Sequence, residues 1–360
     1  MAKDKIYEQV ADFLQKAIDS GELKVGEAIY SENLLCEKLN VSRTSVRKAI
    51  RMMVNKNILI SHQGKGTFIN TGGRGIIHNT LCLVNHCTRS LRYDVSDSYY
   101  GDIIYGSEFA TREKGLDFSV FSREFHSLAE AKKMFSKLKY DGLLLDGRFQ
   151  TESPGYLREL YSNLVIIDGN PEVGDIPVTA PDAEAGFASL LELAALRRGP
   201  VFYLTHEHGS KHNWRNICFR KAAEKANIQY NYIDFGKNIK YELFNHLGGG
   251  HYPLILQNVK PHIIPKNVGG TFICGDDYTA TKLMTAITHS GYSIPEDFAV
   301  SGFCGIGFTG LTTPSMTTVK VDSYELAEIA VNMLIAQIEG KDFGMHSHLI
   351  PVGLIRRQSL

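Results

Sequence analysis

The sequence predicts an α/β protein in which a small N-terminal winged helix-turn-helix precedes a larger domain of two parallel-sheet lobes. Three observations support this prediction: an arginine-rich third helix, a short hairpin with glycines at its turn, and eight short apolar strands that alternate with helices. At 360 residues the chain is long enough for two or three domains of about 150 residues each. We expect domains at 1–70 and 78–360, joined by a polar, glycine-rich linker at 71–77.

Bulk composition favours a cytoplasmic protein. Hydrophobic residues make up 43 % of the chain and charged residues 22 %, and no apolar run approaches the ~20 residues needed to span a bilayer. The first residues lack the apolar stretch of a signal peptide. The six cysteines show no Cys-x-x-Cys spacing, and free buried cysteine is ordinary in a reduced compartment. We therefore expect no membrane partner, no metal and no cofactor.

The net charge of zero hides an asymmetry. Residues 1–75 carry 12 basic and 8 acidic side chains, and no acidic residue lies between Lys38 and Arg92. A local basic segment often marks a nucleic-acid surface, although a charge run alone is usually a solvated face. The motifs within this segment decide between these two interpretations.

The first forty residues predict two helices. Apolar residues recur at helical spacing over 6–18. A second helix begins after Ser31, a favourable N-cap, and Asn40 suits its C-terminal end. Its expected buried residues are Leu34, Leu35 and Leu39.

The third helix, which Ser42 can cap, combines an apolar face with an arginine face. Its expected core residues are Val46, Ala49, Ile50 and Met53. Arg43, Arg47 and Arg51 recur every four residues on another face, with Thr44 and Ser45 near the helix start. A short helix, a tight turn and a helix with an exposed arginine face form a helix-turn-helix. Residues at the start of such a helix reach base edges, where arginine can donate two hydrogen bonds to guanine.

A short hairpin follows the third helix. Strand-like runs at 58–62 and 66–70 flank Gln63, Gly64 and Lys65. The glycines permit the positive φ angles of a tight turn. A lysine at the tip can contact phosphate or the minor groove, so the segment predicts a winged helix.

These residues resemble the winged-helix DNA-binding domain of the GntR family over about 65 positions, most clearly in "VSRTSVRKAI" followed by "QGKGTF". The resemblance implies that double-stranded operator DNA is a partner, with contacts at the counterparts of Arg43, Arg47 and the wing-tip Gly64. One departure is Tyr30, where the family usually has proline, and it is expected to change the entry to the second helix and not the DNA face. The full expected set of DNA-binding residues is Ser31, Glu32, Arg43, Thr44, Ser45, Arg47, Gln63, Gly64 and Lys65.

The remainder of the chain alternates between strand-like and helix-like runs. Eight apolar runs are predicted as strands: 80–85, 116–121, 142–146, 164–168, 200–205, 230–235, 271–275 and 297–303. Right-handed crossovers place the intervening helices on both faces of parallel sheets. About 285 residues exceed one ordinary sheet domain, so two lobes are expected.

Ligands of such sheets bind beyond the carboxyl ends of the strands. The residues found there are mostly neutral or acidic hydrogen-bonding groups with aromatics, a mixture that suits a neutral, polyhydroxylated ligand. They include Tyr99, Tyr100, Ser122, Asp146, Arg148, Asp168, His206, His208, Asp276, Asp277 and Cys304.

This half resembles the effector domain of the LacI/GalR repressors, which is periplasmic-binding-protein-like, most clearly in "PEDFAVSGF" and "TTPSMTTV". Joined to a GntR-type domain, it resembles the arabinose-repressor subfamily. The resemblance assigns Arg215 to effector binding and places Cys304 where the family commonly has an acid that touches sugar. The full expected set of effector-binding residues is Tyr99, Tyr100, Asp146, Asp168, His206, Trp214, Arg215, Asp276 and Cys304.

Simpler interpretations of several of these residues stay open. Arg215 is also an ordinary residue for the start of a helix, and Asp276 and Asp277 also suit a helix cap, where the helix dipole favours an acid. The tyrosines at 99 and 100 are equally suited to a hydrophobic core.

Other chemistries have weaker support. The segment "HEHGSKH" at 206–212 would draw three metal ligands from one loop, which is an uncommon site. The stretch "GFCGIG" at 302–307 lacks a helix start to receive phosphate, and no base is identifiable near Cys304. No Gly-x-Ser-x-Gly or His-Glu-x-x-His motif is present, so an enzyme is not expected.

The sequence therefore predicts a ligand-responsive transcription regulator, a repressor of a carbohydrate-utilisation operon that a sugar effector releases from DNA. A homodimer is expected to bind a near-palindromic operator. The alternatives are a regulator that responds to a purine or an amino acid and, with less support, a sugar-modifying enzyme.

Overall fold

A computed structural model describes most of the chain, and helices and strands of both predicted parts are present among the residues that it describes. The described residues are 6–24, 27–55, 58–62, 66–69, 80–85, 98–122, 133, 140–147, 163–172, 174–205, 213–235, 251–263, 269–341, 343 and 346–360. The predicted linker at 71–77 lies outside them, so the domain boundaries remain a prediction.

The described helices are α1 (Ile6–Asp19), α2 (Glu32–Leu39), α3 (Arg43–Asn55), α4 (Ser98–Glu113), α5 (Ala183–Ala195), α6 (Trp214–Lys225), α7 (His251–Ile263), α8 (Asp277–His289) and α9 (Ser323–Ile338). The described strands are β1 (Leu59–His62), β2 (Gly66–Ile69), β3 (Thr80–Asn85), β4 (Asp117–Ser122), β5 (Gly142–Asp146), β6 (Leu164–Ile167), β7 (Val178–Pro181), β8 (Val201–Thr205), β9 (Tyr230–Asp234), β10 (Gly270–Cys274), β11 (Phe298–Cys304), β12 (Thr317–Val321), β13 (Ser347–Ile350) and β14 (Val352–Ile355).

The N-terminal part is a winged helix with its own apolar core. Strands β1 and β2 form an antiparallel hairpin beside α3. The predicted core face of α3 is confirmed, because Val46, Ala49, Ile50 and Met53 are all buried. The prediction for α2 is partly wrong: Leu35 is fully buried, but the side chain of Leu34 is 41 % exposed. An eight-residue helix turns only one narrow stripe toward the core, and Leu34 lies about 100° away from Leu35.

The remaining strands form two six-stranded sheets, which confirms the predicted two-lobed α/β fold. The first has the order β13-β7-β6-β5-β3-β4 and is parallel throughout. The second has the order β14-β12-β11-β10-β8-β9 and is parallel except for β14. We call these sheets, with the helices packed on them, lobe one and lobe two.

The chain passes between the lobes more than once. It leaves lobe one after β7, and α5 then packs on lobe two against β12, β14 and α6. After β12 it returns, since α9 packs on α4 and on β5, β6 and β7 of lobe one. Strand β13 then completes lobe one and β14 completes lobe two. The carboxyl ends of β6 and β11 lie near the boundary between the lobes, since Asp168 and Cys304 both contact Arg215.

Candidate DNA-binding surface and effector cleft

The start of α3 is organised by short polar side chains. Ser42 accepts a hydrogen bond from the backbone N–H of Ser45 at 3.2 Å, and Asn40 ends α2 in the left-handed conformation with φ of 51°. Ser31 caps α2 by accepting from the N–H of Leu34. Both caps agree with the interpretation of the sequence. They hold the two helices in the turn that presents the first residues of α3 to solvent.

The two arginines expected to bind DNA share one carboxylate. Nε of Arg43 lies 3.2 Å from Glu32 and Nε of Arg47 lies 3.0 Å from it. Both arginine side chains are largely exposed, Thr44 is exposed, and the hydroxyl of Ser45 contacts that of Ser42. Glu32 therefore orients the two guanidinium groups, a role that the sequence did not reveal. The wing residues Gln63, Gly64 and Lys65 lie outside the described residues.

Arg215 lies at the centre of the candidate effector cleft, at the start of α6. Asn213 caps this helix by accepting from the N–H of Asn216, and the hydroxyl of the buried Tyr203 donates to Asn216 at 2.7 Å. The cap and the buried hydrogen bond fix the first turn of α6 against β8. Arg215 is thereby directed toward the boundary between the lobes.

The guanidinium of Arg215 joins residues from both lobes. Its Nη2 donates to Asp168, which follows β6 of lobe one, at 3.2 Å, and its Nη1 lies 3.1 Å from the sulfur of Cys304 in lobe two. The Arg215–Asp168 pair is mostly buried, with side chains 16 % and 10 % exposed. A buried ion pair of this kind needs close partners to offset the loss of hydration. The structure therefore brings three of the expected effector residues together at one point.

Two aromatic rings flank the same guanidinium. Its central carbon lies 5.1 Å from the ring centre of Tyr99 in lobe one and 5.3 Å from that of Phe303 in lobe two. Cations are attracted to the faces of aromatic rings at this range. Tyr99 is also buried in the core, as the simpler interpretation proposed, and its role as an effector contact stays a prediction. Phe303 was missed from the sequence because it reads as an ordinary strand residue.

Asp168 and Cys304 both have positive φ angles, 56° and 115°. Residues with a side chain adopt this region rarely, and such strain often concentrates at functional sites. Burial raises the pKa of the Cys304 thiol well above its ordinary value, against the opposing effect of Arg215. The thiol is therefore protonated near neutral pH, which does not suit a nucleophile.

The other expected effector residues lie around this cluster. Tyr100 contacts the ring of Tyr99 edge-on and lines a small apolar cavity together with Asp146, at the end of β5. The indole N–H of Trp214 donates to the carbonyl of Pro181, the last residue of β7. His206 and the possible metal segment at 206–212 lie outside the described residues. Within the described part of the chain, no group of three or more metal-binding side chains is present.

Asp276 and Asp277 have separate roles at the start of α8. Asp276 caps the helix, accepting from the N–H of Thr279 at 2.7 Å and from its hydroxyl at 2.8 Å, as the simpler interpretation proposed. Asp277 is fully buried and accepts from the hydroxyl of Thr318 and from the N–H of Ile306 at 2.8 Å. It therefore fixes the loop that follows Cys304. No local sequence signal distinguished this buried acid from its neighbour.

Comparisons with known proteins agree with this architecture. Residues 6–69 match the family described as bacterial regulatory proteins of the gntR family, and residues 192–360 match the periplasmic binding protein-like domain. The arabinose metabolism transcriptional repressor of Geobacillus stearothermophilus is 24 % identical over 348 residues, which cover 92 % of this chain and 91 % of that protein.

Two solved structures show the same fold. The lac repressor dimer bound to operator and the anti-inducer ONPF superposes with a TM-score of 0.62 at 19 % identity, covering 78 % of this chain and 93 % of that one. The complex of the transcriptional regulator CelR with cellobiose superposes with a TM-score of 0.60 at 17 % identity, covering 89 % and 91 %. Within the described residues, no helix has the length and apolar character needed to cross a membrane. The chain joins a segment that matches the gntR-family DNA-binding domain to a segment that matches the periplasmic binding protein-like domain, and this combination identifies it as a DNA-binding transcription regulator.

Proposed function

We propose that the protein represses a carbohydrate-utilisation operon and that a sugar bound between its lobes releases it from the operator. The observation that carries this proposal is the cluster around Arg215, where a guanidinium, a carboxylate and aromatic rings converge from both lobes. Carboxylates accept hydrogen bonds from sugar hydroxyls, guanidinium groups donate to them, and rings pack on the apolar face of the sugar. A relative named for arabinose metabolism supports the same ligand class.

The sugar would compete with a contact that the protein already makes. Arg215 and Asp168 are paired with each other at 3.2 Å, so a bound hydroxyl group must insert between them or replace one partner. Each partner would then keep a hydrogen bond, which avoids leaving a buried charge unpaired. Because the two residues belong to different lobes, ligand binding at this point alters how the lobes are held together.

The effector proposal is tested by thermal unfolding of the full chain with pentoses, hexoses, sugar phosphates, disaccharides, a purine and amino acids. A sugar should raise the melting temperature, and Arg215→Lys should weaken its binding at least tenfold, because lysine cannot reproduce the planar fork of donors. Arg220→Lys is the matched control, since Arg220 is an exposed arginine on the same helix. Stabilisation by the purine or an amino acid alone would contradict the sugar assignment.

For DNA, we propose that Arg43 and Arg47 contact the operator directly. Their exposure on α3 and their shared orientation by Glu32 support this assignment. Arg47→Ala should lower operator affinity about tenfold to a hundredfold. It should also make the slope of log affinity against log salt concentration shallower by about 1, because one phosphate contact is lost. Lys16→Ala, which removes an exposed charge from α1, is the control. Equal binding by both variants would remove Arg47 from the DNA contacts.

We further propose that the regulator is a homodimer and works in the cytoplasm, where its operator is found. Exposed aromatic rings of Tyr105, Phe109 and Tyr324 lie on neighbouring helices α4 and α9 of lobe one, with Tyr105 and Tyr324 in edge-to-face contact. Adjacent exposed aromatics are typical of protein interfaces. Phe109→Glu should produce monomers in sedimentation velocity, whereas Leu196→Glu, at an exposed leucine beyond α5, should not. A dimeric Phe109→Glu protein would place the interface elsewhere.

A further inference from the structure

Helix α6 contacts lobe one at two separate points through ion pairs. Arg215 pairs with Asp168 inside the candidate cleft, and Lys221 pairs with Glu172 farther along the helix. Asp168 and Glu172 both belong to the connection between β6 and β7 of lobe one, whereas α6 lies between β8 and β9 of lobe two. Two attachment points about 9 Å apart along a rigid helix restrain both separation and rotation of the lobes, which one point cannot do.

The two ion pairs differ in their surroundings. The pair in the cleft is mostly buried, whereas the side chains of Lys221 and Glu172 are 38 % and 52 % exposed. Under the proposed function, effector binding reorganises the inner pair. The outer pair is formed by side chains other than Arg215 and Asp168, so it can persist when the effector inserts between those two residues. It therefore favours, with and without ligand, the arrangement in which α6 contacts lobe one, which we call closed.

We infer that Lys221 and Glu172 are positioning residues that hold the two lobes closed and thereby strengthen effector binding without touching the effector. The part of this inference that concerns effector affinity rests on the proposed function. The part that concerns lobe closure in the free protein does not. The hydrogen bond to Glu172 also raises the pKa of Lys221, so the lysine keeps its charge throughout the neutral range.

The same helix supplies a matched control. One turn beyond Lys221, Lys225 pairs with Glu184 of α5. Both α5 and α6 pack on lobe two, so this second lysine–glutamate pair has the same chemistry but lies within one lobe. Its removal should leave closure of the cleft unchanged.

The chain also contains a reporter of closure. Trp214 is its one tryptophan, is 9 % exposed, and donates its indole N–H to Pro181 of lobe one. The ammonium of Lys221 lies over the same ring at 5.5 Å, so Lys221 should be left intact when tryptophan fluorescence is measured. Substitution of Glu172 breaks the charge pair from the opposite lobe and avoids that direct effect.

The experiment compares Glu172→Gln with Glu184→Gln in the full chain. Acrylamide quenching of Trp214 fluorescence in the ligand-free protein should increase in Glu172→Gln and stay at the wild-type level in Glu184→Gln. Effector affinity, measured with the sugar that stabilises the wild type, should fall about two- to fivefold in Glu172→Gln alone. High salt should remove this difference, because it screens exposed charge pairs.

The inference is overturned if the two glutamine variants show the same quenching and the same affinity. It is also overturned if the effect of Glu172→Gln persists unchanged in high salt, which would indicate altered packing instead of a charge pair. If no sugar binds the wild type, the proposed sugar effector fails, whereas the quenching comparison still decides whether Glu172 holds the lobes closed.

Discussion

One buried carboxylate, Asp277, connects three elements of lobe two. It belongs to α8, accepts from Thr318 of β12, and accepts from the N–H of Ile306 just after β11. Burial raises the pKa of this carboxyl to about 7, although both hydrogen bonds act in the opposite direction. The position of the loop beside Cys304 therefore depends on a group that titrates near neutral pH.

This shift predicts a pH dependence of stability with a definite sign. Because the pKa of Asp277 is higher in the folded state than its ordinary value of 3.8, the folded state binds more protons between those two values. The contribution of Asp277 to the free energy of unfolding is present at low pH and is lost as the pH rises through about 7. Urea unfolding should therefore give a free energy about 2 kcal/mol lower at about pH 8 than at about pH 5.5 from this group.

Asp277→Asn is the variant that isolates this contribution, since asparagine has a similar shape and does not titrate. Its free energy of unfolding should change less than that of the wild type between the two pH values. Identical pH profiles for wild type and variant would show that Asp277 does not titrate in this range.

The same carboxylate explains a glycine. A Cβ atom at Gly302 would lie 2.1 Å from Oδ1 of Asp277, so no side chain fits there without moving the acid. Gly302→Ala should lower the free energy of unfolding by about 1–3 kcal/mol. Gly307→Ala is the control, because a Cβ there meets no atom within 4 Å, and it should change stability by less than about 0.5 kcal/mol. Similar losses of unfolding free energy for the two alanine variants in urea would contradict this explanation of Gly302.

At the scale of elements, most strands and helices were predictable because each has a clear hydrophobic period. Strands β7, β12 and β13 and helix α7 were not predicted as separate elements. Each of these strands interrupts its apolar residues with polar side chains or proline, as in VTAP, TTVKV and SHLI. Short runs of this kind carry little periodic signal, and pairing with neighbouring strands decides that they are extended.

Helix α2 gives a matched test of which face packs against the winged-helix core. Leu35→Ala should cost about 2–5 kcal/mol, since the side chain is fully buried, whereas the exposed Leu34→Ala should cost less than about 1 kcal/mol. Urea unfolding followed by circular dichroism measures both values. Equal costs would mean that α2 packs through a broader face than the structure shows.

At the scale of the whole molecule, the proposed regulator couples a ligand site to a DNA site. Thermodynamic linkage requires that each ligand change the affinity for the other by the same factor. If a sugar lowers operator affinity tenfold, operator DNA must lower sugar affinity tenfold, a coupling of about 1.4 kcal/mol. Fluorescence anisotropy of labelled operator with sugar, and calorimetry of sugar with operator present, measure the two factors. If the sugar leaves operator affinity unchanged and the operator leaves sugar affinity unchanged, that sugar does not regulate the protein.

The sequence alone was sufficient for the winged helix, the two-lobed sheet architecture and the interpretation as a DNA-binding regulator. The winged helix and the sheets follow from local signals: helix caps, arginines at four-residue spacing, glycines at a turn, and apolar strands between helices. The interpretation as a regulator also depends on the resemblance to the GntR and LacI/GalR families. Asp168 and Cys304 were candidates from the sequence because the carboxyl ends of parallel strands share one edge of a sheet, whereas Arg215 was a candidate only through the family resemblance.

Only the tertiary structure decided how those residues meet. Arg215, Asp168 and Cys304 are far apart in the chain, and their contacts depend on how the two lobes face each other. The pairing of Lys221 with Glu172, the burial of Asp277, and the sharing of Glu32 by two arginines also join separate elements. Hydrophobic period specifies each element and its buried face, whereas contacts between polar side chains depend on distances that arise only when the elements pack together.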